Sequence, residues 1–102
     1  MIAKFAVLLM VTIVQITTVS RDYDGKHVDV TGRAMHSRVA HLADGAAYVH
    51  FALCAQRCIH VVVLGTPAIA AGQTITVHGT FYSHKDLGGF VLHGIEADPG
   101  SL

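Results

Sequence analysis

Apolar and polar residues alternate most regularly in the middle of the chain, over residues 48–64. Neighbouring side chains on a strand point to opposite faces of a sheet. The alternation therefore predicts two strands that fold back around residues 55–57, with Cys54 opposite Cys58. One face is then purely apolar and carries Val49, Phe51, Leu53, Ile59, Val61 and Val63. The other face is mixed and carries Tyr48, His50, Ala52, Cys54, Cys58, His60, Val62 and Leu64.

A slip of one residue would mix these two sets, so the pattern fixes the register of the hairpin. We expect the apolar face to be core and the mixed face to be the place for a ligand. The flanking sequence predicts three further strands, at residues 27–39, 73–85 and 90–97. Gly32 and Gly79 end the same pattern, G-x-x-(V/I)-x-V-x-G, and glycine inside a strand usually marks a bulge or bend. Long bent strands are what a small closed barrel needs.

Residues 65–72 leave the sheet between the third and fourth strands. Pro67 near the start and Gly72 at the end of this segment predict one short helical turn. The prediction is an all-β fold of five strands with one helical turn after strand 3.

This order, with VDVTGR in strand one, YVHFAL in strand two and GQTITVHGTF in strand four, resembles the OB-fold. It is especially similar to the tRNA-anticodon-like, nucleic-acid-binding group, as in small exported bacterial proteins. The resemblance covers residues 25–98 and implies a five-stranded barrel. In that fold the face of strands 2 and 3 and the loops beside it bind oligonucleotides or oligosaccharides.

The first twenty residues contain one Lys, at position 4, and an almost unbroken apolar run over residues 5–14. That run is shorter than the 20 or so residues of a membrane span and suits the apolar region of a signal peptide. We therefore predict a signal peptide or signal anchor over residues 1–20 and a single domain over residues 21–102. The domain would be exported, either periplasmic or membrane-anchored and outside the cytoplasm. A first core strand or helix is the alternative for this segment.

Cys54 and Cys58 face each other in the predicted hairpin, at a distance that suits a disulfide. Two cysteines placed in this way are typical of an oxidising compartment. Two alternatives stay open, namely free thiols and a metal site formed by Cys54, Cys58 and His60. No cofactor is predicted.

The formal net charge is zero, with seven basic and seven acidic residues, so the chain lacks the basic excess usual in polyanion binders. Its compositional oddity is eight histidines, which would make it cationic on acidification. The candidate ligand-binding residues are the exposed aromatics, imidazoles and cations Tyr48, His50, His60, Arg33, Arg57 and Tyr82.

The chain contains no nucleophile elbow, P-loop, dinucleotide fingerprint or H-E-x-x-H motif, so we predict no enzyme and no catalytic residues. The sequence favours a small binding module for single-stranded nucleic acid or another oligomeric ligand. The alternatives are a Cys/His metal-binding module and a membrane-tethered domain that binds a protein partner.

Overall fold

A computed structural model describes residues 11–88 and 90–102 of the chain. Two short helices precede five strands, and the strands close into a ring in the order β1-β2-β3-β5-β4. The elements are α1 Ile13–Thr18, α2 Ser20–Tyr23, β1 His27–His41, β2 Ala47–Cys54, β3 Cys58–Leu64, β4 Thr74–Asp86 and β5 Val91–Ala97. The β-rich, five-stranded fold expected from the alternation is confirmed.

Closure of the sheet depends on β1, which pairs with β2 and with β4. The strand changes partner at Arg33, which lies opposite both Cys54 and Thr74 and directly follows Gly32. A register shift then separates Met35 from Arg38. Bends and bulges of this kind let a long strand serve two edges of a small closed sheet.

The remaining seam joins β3 to β5 and is the only parallel pairing among the described strands. Val61 lies opposite Ile95, and His60 lies opposite Gly94. A Cβ at position 94 would collide with the carbonyl oxygen of His60. Only glycine therefore fits where β5 closes the ring.

The β2–β3 hairpin has the predicted register, from Tyr48 opposite Leu64 to Cys54 opposite Cys58. All six residues of the predicted apolar face are buried in the main core. This core also contains Val28, Val30, Val77, Phe81 and Ile95 from the other strands.

Helix α1 covers one end of this core, because Ile13 and Ile16 are fully buried in it. The helix begins at a capping box, in which the Thr12 side chain accepts from the Gln15 backbone and the Gln15 side chain accepts from the Thr12 backbone. Val11, Ile13 and Ile16 therefore pack in the same core as the strands, although they lie upstream of the domain boundary predicted at residue 21. This packing agrees with the alternative prediction of a first core helix. Residues 1–10, which carry most of the predicted leader, lie outside the described part of the chain, so signal-peptide cleavage stays a prediction.

The helical turn predicted for residues 65–72 is wrong, since this segment is irregular. An isolated helical turn fixes several residues for one hydrogen bond, and Pro67 supplies no donor. The segment instead gains its hydrogen bonds from β1. The Gly72 amide donates to the Ala34 carbonyl oxygen at 2.7 Å, and the Ala34 amide donates to the Gln73 carbonyl oxygen at 2.9 Å.

Candidate functional site: a groove on the outer face

A groove of about 230 Å³ runs over the outer face of the closed sheet, across β2, β3 and β5. Its lining has two parts: five apolar or aromatic residues, which we call the apolar half, and three histidines, which we call the imidazole half. The lining residues are Tyr48, His50, His60, Val62, Phe90, Val91, Leu92 and His93. We call this depression the outer groove.

The apolar half of the outer groove belongs to a second, smaller hydrophobic cluster outside the sheet. Tyr48, Val62 and Leu92 are buried in it, and Phe90 stacks on Tyr48 with ring centroids 5.3 Å apart. The cluster is covered by Leu42, from the loop between β1 and β2, and by Leu87, from the loop between β4 and β5, among other side chains. A hydrogen bond of 2.7 Å from the Ala43 amide to the Gly88 carbonyl oxygen joins these two loops. One end of the groove is therefore closed by loops, and its floor is apolar there.

The imidazole half continues along neighbouring strands. His50 on β2 and His60 on β3 have ring centroids 5.9 Å apart. His93 on β5 lies in the same groove, and its ring centroid is 5.6 Å from that of His84 on β4. The closed sheet thus brings four of the eight histidines into one row across four strands.

The protonation of His60 is affected by its surroundings in the groove. Partial burial lowers the pKa of His60 below its ordinary value, and the neighbouring rings of His50 and His93 lower it further. Accumulating positive charge in one place is unfavourable, and removing an imidazolium from water adds to that cost. The His60 ring is therefore held neutral at neutral pH.

The eight lining residues include no lysine and no arginine. The nearby Lys85 donates a hydrogen bond of 2.7 Å from Nζ to Glu96 Oε1. This hydrogen bond is the main reason that the pKa of Lys85 is raised. Lys85 Nζ also lies 4.4 Å from the centre of the Tyr82 ring. The charge of the groove itself consequently depends on its histidines.

Three of the six predicted ligand-binding residues, Tyr48, His50 and His60, come together in the outer groove, and the other three lie elsewhere. Arg33 lines a separate depression beside the hairpin tip, with Met35 and His36. Arg57 donates to Thr17 Oγ1 of α1 at 3.2 Å, and Tyr82 packs beside the smaller hydrophobic cluster.

Sequence reasoning missed the contribution of β5, which supplies Leu92 and His93 to the groove. The pairing of β3 with β5 joins residues more than thirty positions apart, so no local alternation reveals it. The available signal was the resemblance itself, because the Greek-key order of the OB-fold places the last strand beside an inner one.

Cys54 and Cys58 form a disulfide at the tip of the hairpin, as predicted. Both sulfur atoms are thereby occupied, so the alternative metal site of Cys54, Cys58 and His60 is not formed in this oxidised state. Across residues 11–88 and 90–102, no three His, Cys, Asp or Glu side chains are grouped so that they could hold a metal ion.

Comparisons of the chain with models of protein families, with curated proteins and with solved structures found no match. Within the described ranges, neither helix has the length and apolar character needed to cross a bilayer.

Proposed function

We propose that this protein is a small OB-fold binding module, and that the outer groove takes a single-stranded oligonucleotide. The order of the ring and the parallel β3–β5 seam support the OB-fold, because they are what a five-stranded Greek-key barrel requires. The loops beside the groove are those between strands 1 and 2 and between strands 4 and 5. In OB-folds these loops flank the ligand.

The observation that carries the nucleic-acid proposal is the division of the groove into an apolar half and an imidazole half. A flat base can pack against Val62, Phe90 and Leu92, since every base has an apolar face. The phosphates that follow would then run past His50, His60 and His93. Imidazolium is a hydrogen-bond donor and a cation, so it suits a phosphate oxygen once it is protonated.

Because the lining carries no fixed cation, binding should depend on pH. Protonated imidazole attracts phosphate and neutral imidazole does not, and the ordinary histidine pKa is about 6.5. Acidification through that range should therefore strengthen binding.

The test is fluorescence anisotropy of a labelled oligothymidine of about 12 nucleotides, a length within the range that an OB-fold covers. Titrations at about pH 5.5 and 7.5, on either side of the ordinary histidine pKa, should show tighter binding at the lower pH and weakening with salt. Phe90→Ala should lower the affinity by about tenfold, in the range measured for loss of one stacking partner. Leu87→Ala is the matched control, because Leu87 packs in the same cluster without lining the groove.

His50→Gln should remove part of the gain at low pH. His36→Asn should leave it intact, since His36 is exposed outside the groove and asparagine tolerates its positive φ of 58°. Absence of binding at both pH values, or equal losses in Phe90→Ala and Leu87→Ala, would refute the proposal.

Disulfides form and persist mainly in oxidising compartments, and this supports the proposal that the domain works outside the cytoplasm. A protein partner is the second candidate for the groove, favoured by the exposure of Val91 (40%) among its lining residues. An exposed apolar residue at the edge of an apolar groove is typical of a protein contact.

A further inference from the structure

Two imidazoles in the outer groove stand at a separation that suits a shared ligand. His50 and His60 lie on neighbouring antiparallel strands, and their ring centroids are 5.9 Å apart with the ring planes inclined by 44°. We propose that His50 and His60 together bind one divalent late transition-metal ion, such as Ni²⁺, Cu²⁺ or Zn²⁺. This inference is independent of oligonucleotide binding and uses neither cysteine.

The separation follows from the geometry of imidazole ligands. A ring nitrogen binds such an ion at about 2.0–2.1 Å, which puts each ring centre about 3 Å from the metal. Two rings on one ion then have centres about 5–6 Å apart, depending on the angle between the two bonds. The observed 5.9 Å falls in this range, so the separation of the two rings matches that of a pair bound to one ion.

Both rings are available for coordination. Among residues 11–88 and 90–102, neither imidazole is hydrogen-bonded to another protein group, whereas His27, His78 and His93 each are. A metal ligand must be a neutral imidazole.

The backbone beneath the pair is well held. His60 is two residues from the disulfide, and its carbonyl oxygen packs against Gly94 on the far side. Ala52 lies on β2 directly opposite His60 and two residues from His50, and its small side chain leaves room between the two imidazoles. A pair on a constrained hairpin loses little conformational freedom on binding an ion.

The remaining coordination positions of the ion would face the groove. Imidazole nitrogen is a good ligand for nickel, copper and zinc, and two such ligands leave positions for water or for an anionic group. Calcium and magnesium prefer oxygen ligands, so this pair should discriminate against them. His93 is less available than the pair, because its Nδ1 is bonded to the carbonyl oxygen of Ser83.

The experiment is isothermal titration of the full chain with NiCl₂ and ZnCl₂ at neutral pH without reductant, so that the disulfide stays closed. The stoichiometry is checked by native mass spectrometry. One ion per chain is expected, and no heat with MgCl₂. His50→Gln and His60→Gln should each weaken binding by about tenfold or more, since each removes one of two protein ligands.

His36→Asn and His84→Gln are the matched controls, and both should bind like the unaltered chain. Circular dichroism verifies that each variant is folded, and histidine ring resonances of His50 and His60 should be the ones that shift when Zn²⁺ is added. The proposal is overturned if the unaltered chain binds no ion, if the double variant of His50 and His60 still binds, or if binding appears only after reduction. Oligonucleotide titrations in the presence of a chelator test the proposed function separately.

Discussion

The two faces of the β2–β3 hairpin share one backbone and one disulfide, yet they are buried in different ways. On the inner face, no residue from Val49 to Val63 in the alternating set is more than 5% exposed. On the outer face, burial is uneven. Tyr48 and Val62 are covered, whereas Leu64 is 44% exposed.

The difference arises because two kinds of structure cover the hairpin. The closed sheet surrounds the inner face from all sides, so its burial is uniform. Only loops and the start of β5 reach the outer face, so they bury one part of it and leave His60 exposed. The outer groove forms where this cover ends, since apolar floor and open surface meet there.

The largest effect in this comparison should come from removing an inner side chain. Phe51→Ala deletes a fully buried ring from the main core. We expect the free energy of unfolding to fall by about 3–5 kcal/mol, the usual cost of such a cavity. Urea denaturation followed by far-ultraviolet circular dichroism measures this loss.

Leu64→Ala supplies the contrast on the same hairpin, because Leu64 points to the outer face and is exposed. Its effect should stay within about 0.5 kcal/mol. Similar losses in the two variants would mean that the two faces are not buried as described.

Removing the disulfide, which joins β2 to β3 at the hairpin tip, should have a smaller effect on stability. Cys54→Ser combined with Cys58→Ser should lower the free energy of unfolding by about 2 kcal/mol, as expected for a very short closed loop. The register should survive, because the apolar alternation specifies it independently. Amide chemical shifts of Phe51 and Val61 should therefore stay close to those of the oxidised chain, and their loss would show that the covalent bond sets the register.

The smallest effect should be a pH dependence confined to the outer face. The pKa of His60 is lower in the folded chain than in the unfolded chain, so the unfolded chain binds the proton more tightly. His60 therefore contributes stability above its unfolded pKa of about 6.5, and that contribution is lost as the pH falls through this value towards its folded pKa.

His60→Gln removes this titration. Urea midpoints at about pH 5.5 and 7.5, on either side of the unfolded pKa, should fall less on acidification in His60→Gln than in the unaltered chain. His36→Asn should behave like the unaltered chain. A steeper fall in His60→Gln would mean that folding raises the pKa of His60 instead of lowering it.

The hairpin was predictable because its information is local. Strict alternation on both strands and a cysteine at each end leave one register that separates apolar from mixed residues, and the structure has it. The strand ends differ from the predicted ones by a residue or two. β1 changes partner at Arg33, next to Gly32, but its register shift lies further along, between Met35 and Arg38.

The N-terminal core helix was the alternative to the predicted leader, and there is a physical reason why the leader was preferred. Its apolar residues continue a run that suits a leader, and the run was interpreted from its length and composition alone. The capping box of Thr12 and Gln15 was present as a T-x-x-Q sequence and marks a helix start. Burial of Ile13 and Ile16, in contrast, depends on the open end of a ring that exists only after closure.

The histidine row shows the same limit for the site. His50 and His60 were predictable as a pair, because they share one face of one hairpin. His93 joins them through the β3–β5 pairing, and His84 through the β4–β5 pairing with its register shift between Tyr82 and Lys85. A bulge reverses which residues share a face, so simple alternation assigns them wrongly.

The parallel seam between β3 and β5 makes completion of the outer groove depend on the last strand of the chain. Residues 48–64 are synthesised before residues 90–93, so a chain that stops short of β5 carries only the hairpin side of the groove. A ligand in the completed groove would contact both the hairpin and β5, and by mass action it should oppose the separation of β3 from β5. Ligand binding and closure of the ring should therefore favour each other.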